Sequence, residues 1–107
     1  MPARIIEIAD LQPIDFLRVQ SVLYLETLDI RNLTPPQVWH TQEGMLVSDS
    51  NNSLALLARS REKQVEVDYN DARSIREGDD LFIDTINELA RQMKKKGVYS
   101  PSDLWQA

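Results

Sequence analysis

A chain of 107 residues with 42% apolar side chains is long enough for one domain, residues 1 to 107, with its own core. Its net charge of −5 argues against general binding to nucleic acid or anionic lipid. No cysteine and a single histidine exclude disulfides, thiol chemistry, Cys-type zinc sites and a multi-His metal site within one chain. Met1 to Glu7 lacks the apolar core of a signal peptide and no apolar run approaches a membrane span, so a cytoplasmic protein without membrane contact is expected.

The β-branched residues Ile5, Ile6 and Ile8 predict a short strand, ended by a turn-like exit at Asp10-Leu-Gln-Pro13. Asp15 is placed to cap a helix running to about Leu28, with Phe16, Leu17, Val19, Val22, Leu23, Tyr24 and Leu28 on its apolar face. Val22 to Leu25 fits strand periodicity equally well. The segment Asn32 to Pro36 breaks the chain, because two prolines remove two backbone donors. Val38 to Thr41 then reads as a strand, Gln42-Glu-Gly44 as a hairpin connection with Gly44 at positive φ, and Met45 to Val47 as the returning strand.

Five small polar residues, Asp49-Ser-Asn-Asn-Ser53, join that strand to a short helix expected over Leu54 to Ser60, and they are residue types that cap helices. Gln64 to Tyr69 alternates strictly and predicts a half-buried strand. The last third is helical from about Asp79, with Phe82, Ile83, Ile86, Leu89, Ala90 and Met93 at helical spacing. Acidic residues crowd its start and Lys94-Lys-Lys96 its end, matching the helix dipole, and Gly97 stops it. Ser100 to Asp103 starts one more turn, which brings Leu104 and Trp105 onto the body.

This order resembles the ParB/sulfiredoxin superfamily, the ParB-like nuclease domains, over about residues 5 to 69. The residues that carry the likeness are Asp10-Leu-Gln-Pro13, Pro36-Gln-Val-Trp39, Asp49 to Ser53 followed by Leu54-Ala-Leu56, and Val65-Glu-Val67. It implies an α+β fold, a small mixed sheet with packed helices, extended here by a helical segment over 70 to 107. In the family, a glycine of the polar turn admits phosphate and an Arg or His contacts nucleotide. Here Ser50, Asn52 and Ser53 occupy those places, and the cysteine that a sulfiredoxin needs is absent.

Asp49, Ser50, Asn51, Asn52 and Ser53 are therefore the candidate ligand-binding residues, for a protein partner or a small phosphate-containing ligand, against the simpler reading as a helix cap. A binding or regulatory module without catalysis follows from a retained scaffold lacking its reactive set. A metal-dependent nucleotide or nucleic-acid enzyme would instead gather Glu7, Asp10, Asp49 and Asn52 around a metal. A partition-like nucleic-acid domain would use Arg59, Arg61 and Lys63, extended by Arg73 and Arg76, as a basic rim. His40 and Trp39 sit on one strand and point to opposite faces, so they do not share a site. Asp79, Asp80 and Asp84 read as a solvated helix start. No motif points to a particular cofactor.

Overall fold

Buried valines and leucines of the strands build the centre of the molecule. The computed structural model describes residues 3–18, 20, 23–24, 26, 35–49, 51–60 and 62–106. Its strands are β1 (Ala3–Glu7), β2 (Leu11–Pro13), β3 (Gln37–Thr41), β4 (Gly44–Val47) and β5 (Gln64–Asp71). They form one mixed sheet in the order β1-β5-β3-β4-β2. The pairs β1–β5 and β3–β4 are antiparallel, whereas β3–β5 and β2–β4 are parallel. With helices α1 (Asn51–Arg59) and α2 (Leu81–Lys95), this is a small α+β architecture.

Successive residues of β4 point to opposite faces, and each face receives one helix. Val47 joins Val38, Val67 and Tyr69 beneath Leu54 and Leu57 of α1. Leu46 joins Ile14 and Ala72 beneath Ile83, Ile86 and Ala90 of α2. A short 3₁₀ helix, Pro101–Gln106, closes the end of α1, where Leu104, Val98 and Met93 pack on Ala55. Trp105 Nε1 donates to the Ala55 carbonyl at 2.8 Å, so both Leu104 and Trp105 reach the body as expected. Among the described residues no helix is long and apolar enough to cross a membrane.

The hairpin is as read, with Gly44 at φ 120°. Its turn is docked on α2: Thr41 Oγ1 donates to Asn87 Oδ1 at 2.6 Å and Lys94 Nζ donates to the Glu43 carbonyl at 2.7 Å. Helix α2 starts at Leu81, capped by the Asp80 side chain on the Ile83 amide.

Three expectations need correction. The exit at Asp10 to Pro13 is a turn only at its first residue. Ile8–Asp10 makes a 3₁₀ turn, and Leu11–Pro13 is a strand parallel to β4. Proline misleads here because it is tolerated on an edge strand, and β2 is an edge. Gln12, buried, secures that edge by donating to the Val98 carbonyl at 2.9 Å.

The helix expected from Asp15 does not begin there. Residues 15 to 18 are not helical, whereas Gln20, Leu23 and Tyr24 are. Glu26 is in a turn, and residues 19, 21, 22, 25, 27 and 28 of that helix, with residues 32 to 34 of the chain break, lie outside the described residues. Finally, α1 begins at Asn51 rather than Leu54, so Asn51, Asn52 and Ser53 form its first turn instead of preceding it.

Candidate functional site

The polar junction after β4 is a fastening point. Ser48 donates its amide to the Gln37 carbonyl (3.1 Å), and Asp49 Oδ1 accepts the Gln37 amide (2.8 Å). The junction is thereby tied to the start of β3. Asn51 is buried; its Oδ1 accepts the Ile14 amide (3.2 Å) and its Nδ2 donates to the Val47 carbonyl (3.3 Å). Asn52 Oδ1 accepts the Arg18 amide at 3.0 Å. Two neighbouring asparagines thus hold the segment from Ile14 to Arg18 across the first turn of α1. These bonds fix both ends of the segment to α1, and residues 15 to 18 are not helical.

Between segment and junction lies a cleft of about 460 Å³. Asp15, Arg18, Asp49 and Asn52 form its polar rim, and Ile14, Phe16 and Leu89 its apolar wall. The guanidinium of Arg18 lies 3.0 Å from Asp15, both side chains exposed. Phe16 and Leu89, the latter on α2, keep 37% and 36% of their surface in solvent, so the wall is partly open. A smaller hollow of about 160 Å³ continues on the other side of Phe16, towards Met93 and Lys96 of α2. Lys96 Nζ sits 5.0 Å from the centre of the Phe16 ring.

Of the candidate ligand-binding residues, the structure brings Asp49, Asn51 and Asn52 together in the cleft. Ser53 is in the first turn of α1 and is not among the lining residues, and Ser50 lies outside the described residues. Phe16 and Leu89 were read as apolar helix positions, and neither they nor Arg18 was read as part of a site. Arg18 and Phe16 were assigned to a helix whose true backbone is held by bonds to residues 34 and 37 positions away.

The acidic set proposed for a metal is dispersed. Glu7 lies on β1, where it accepts from Gln64 Nε2 at 3.0 Å, and Asp49 lies beyond β4. Two strands separate β1 from β4 in the sheet, a spacing of roughly 14 Å. Among the described residues no group of three or more acidic or histidine side chains is arranged to hold a metal ion. Asp84, at the start of α2, instead accepts the Gly78 amide with both oxygens at 3.1 Å.

The basic residues are likewise spread. Lys63 precedes β5 and Arg73 follows it, so the strand's length, roughly 26 Å, lies between them. Arg59 pairs with Glu26 at 2.7 Å and stacks 4.1 Å over Trp105, Arg73 pairs with Asp71 at 2.8 Å, and Arg61 lies outside the described residues.

A second polar group surrounds His40, at the end of β3. His40 Nδ1 lies 2.6 Å from the Tyr69 hydroxyl on the neighbouring β5. Arg4 stacks 3.9 Å over the Tyr69 ring. Burial, and then the positive field of Arg73, push the His40 pKa below its ordinary value, against an opposing pull from Asp71. Hydrogen bonds from the Arg73 side chain and amide hold the Asp71 carboxyl well below the usual carboxylate range. On the opposite face Trp39 meets Phe82 edge to face, with centroids 5.2 Å apart, so the two strand neighbours are separated as expected.

Comparisons with protein-family models, curated proteins and solved structures find no match for this chain.

Proposed function

We propose that this chain is a binding or regulatory module without catalysis, built on a ParB/sulfiredoxin-like scaffold. In this reading the cleft between segment 14–18 and the first turn of α1 takes a segment of a protein partner. The observation that carries it is how the junction's polar groups are used. Asp49, Asn51 and Asn52 hold backbone amides in place, while Phe16 and Leu89 stand half-exposed beside them. Side chains committed to fixing walls make a preformed seat, and preformed apolar seats with a few polar groups suit binding.

The charge balance favours a peptide over a phosphate. Asp15 and Asp49 both face the cleft, and its one cation, Arg18 among the described lining residues, is already beside Asp15. A phosphate would need compensating cations there. A peptide needs an apolar side chain for the Phe16–Leu89 wall and donors for the acidic rim. The scaffold assignment is supported by the succession of first strand, hairpin, polar junction, helix and Val65-Glu-Val67 strand.

The test is selection of peptides from a displayed random library on the purified chain. Selected peptides are expected to carry an apolar anchor flanked by Lys or Arg, and Phe16→Ala is expected to abolish their binding. Nucleotide turnover by the purified chain that disappears in Asp49→Ala would contradict the reading.

A further inference from the structure

We infer that β1 is an interface for a second copy of this chain, the two β1 strands pairing antiparallel to join both sheets. Strand β1 is at one edge of the sheet, and among the described residues no strand lies beyond it. Ile8 donates its amide to the Lys63 carbonyl at 2.8 Å, extending the β1–β5 register by one residue. In an antiparallel ladder, hydrogen-bonded pairs alternate with unbonded ones. Ile8, Ile6 and Arg4 therefore turn their backbone groups towards β5, and Glu7, Ile5 and Ala3 turn theirs outward.

This outward set is self-complementary. A two-fold axis at Ile5 sets Ile5 against Ile5 of the second copy, and Ala3 against that copy's Glu7. Every outward residue then lies in a hydrogen-bonded pair, each pair exchanging two N–H···O bonds. Sliding the register by two residues either way leaves an outward residue of β1 without a partner in the other β1. One of those shifts also opposes Arg4 to its own copy. In the centred register Arg4 lies across from Ile6 of the second copy, so like charges do not meet.

The edge carries little that would block pairing. Ala3–Glu7 contains no proline. Its two charged side chains are drawn back onto the sheet: Arg4 over the Tyr69 ring at 3.9 Å, and Glu7 to Gln64 at 3.0 Å. Ile5 meanwhile is 71% exposed, beside an open hollow of about 650 Å³ lined in part by Gln64 and Glu66.

The experiment is sedimentation of the purified chain over a dilution series, with amide hydrogen exchange read at each end of the series. A dimer that dissociates on dilution is expected. The amides of Ala3, Ile5 and Glu7 should be protected only in the dimer, and those of Ile6 and Ile8 in both states. Ile5→Lys, which puts two cations on the axis at an exposed position, should remove the dimer and melt as the unaltered chain does at dilutions where it is monomeric. A chain that is monomeric up to millimolar concentration overturns the inference. So does a dimer that persists in Ile5→Lys, or one in which the three outward amides exchange freely.

Discussion

Asn51 and Asn52 are chemically identical neighbours with different energetic weight. Asn51 is buried and satisfies the amide of Ile14, which is itself 8% exposed. Removing its side chain leaves that donor without a partner away from water, so Asn51→Ala is expected to cost about 1–3 kcal/mol in denaturant unfolding. Asn52 bonds the amide of exposed Arg18, which water can satisfy instead. Asn52→Ala should therefore cost about 0.5 kcal/mol or less. Equal losses from the two substitutions would show that the segment from Ile14 to Arg18 is not held as described.

His40 sets a pH dependence at the same scale. Its folded pKa is lowered from 6.5, first by burial and then by Arg73. The unfolded chain therefore takes up the proton first as the pH falls. Stability from the neutral ring is complete above pH 6.5 and is lost as the pH drops from there through the depressed folded value. Thermal melts should show this decline in the native chain, and His40→Gln, which cannot titrate, should flatten it. A melting temperature that rises on acidification through that window would reverse the assigned direction.

At the scale of elements, the two ends of α2 were legible because their determinants are local. Asp80 caps the first turn, and Gly97, at φ 83°, ends the helix. The Val98 amide reaches the Met93 carbonyl and the Gly97 amide that of Lys94, both at 3.0 Å, while Val98 and Met93 pack together in the core. That is the Schellman arrangement with its apolar contact. Gly97→Ala is expected to destabilise by about 1–2 kcal/mol, because a Cβ is penalised at this φ. Gly97→Asn should cost less, and denaturant midpoints of the two variants would check the order.

The strands β3 to β5 and the glycine at the hairpin were legible for the same local reason. Strand β2 was not, since three residues ending in proline carry too little periodicity to declare a strand. What the segment after β2 packs on was not legible, because its ends are held by asparagines some 35 positions away, and no window of local sequence contains both partners.

For the molecule as a whole, the sheet explains both proposed surfaces. Helix α1 lies on one face and α2 on the other, β2 is secured by Gln12 to the Val98 carbonyl, and among the described residues no strand lies beyond β1. The polar junction lies at the end of β4 away from that edge, so partner binding and self-pairing do not compete for the same residues. The candidate site was half legible. Asp49, Asn51 and Asn52 stood out as small polar residues at a strand-to-helix junction. The wall of Phe16 and Leu89 could emerge only when α2 and the segment after β2 were seen side by side. The junction's residues also proved to hold the wall of the cleft, which local capping patterns do not encode.

The central claim is that this cleft is a preformed peptide seat. It is tested most directly by titrating the isotope-labelled chain with a library-selected peptide and following backbone amide resonances. Binding is expected to move the amides of Phe16, Arg18, Asn52 and Leu89, and to leave those of β1 in place. A bound peptide that perturbs none of these cleft amides would contradict the claim.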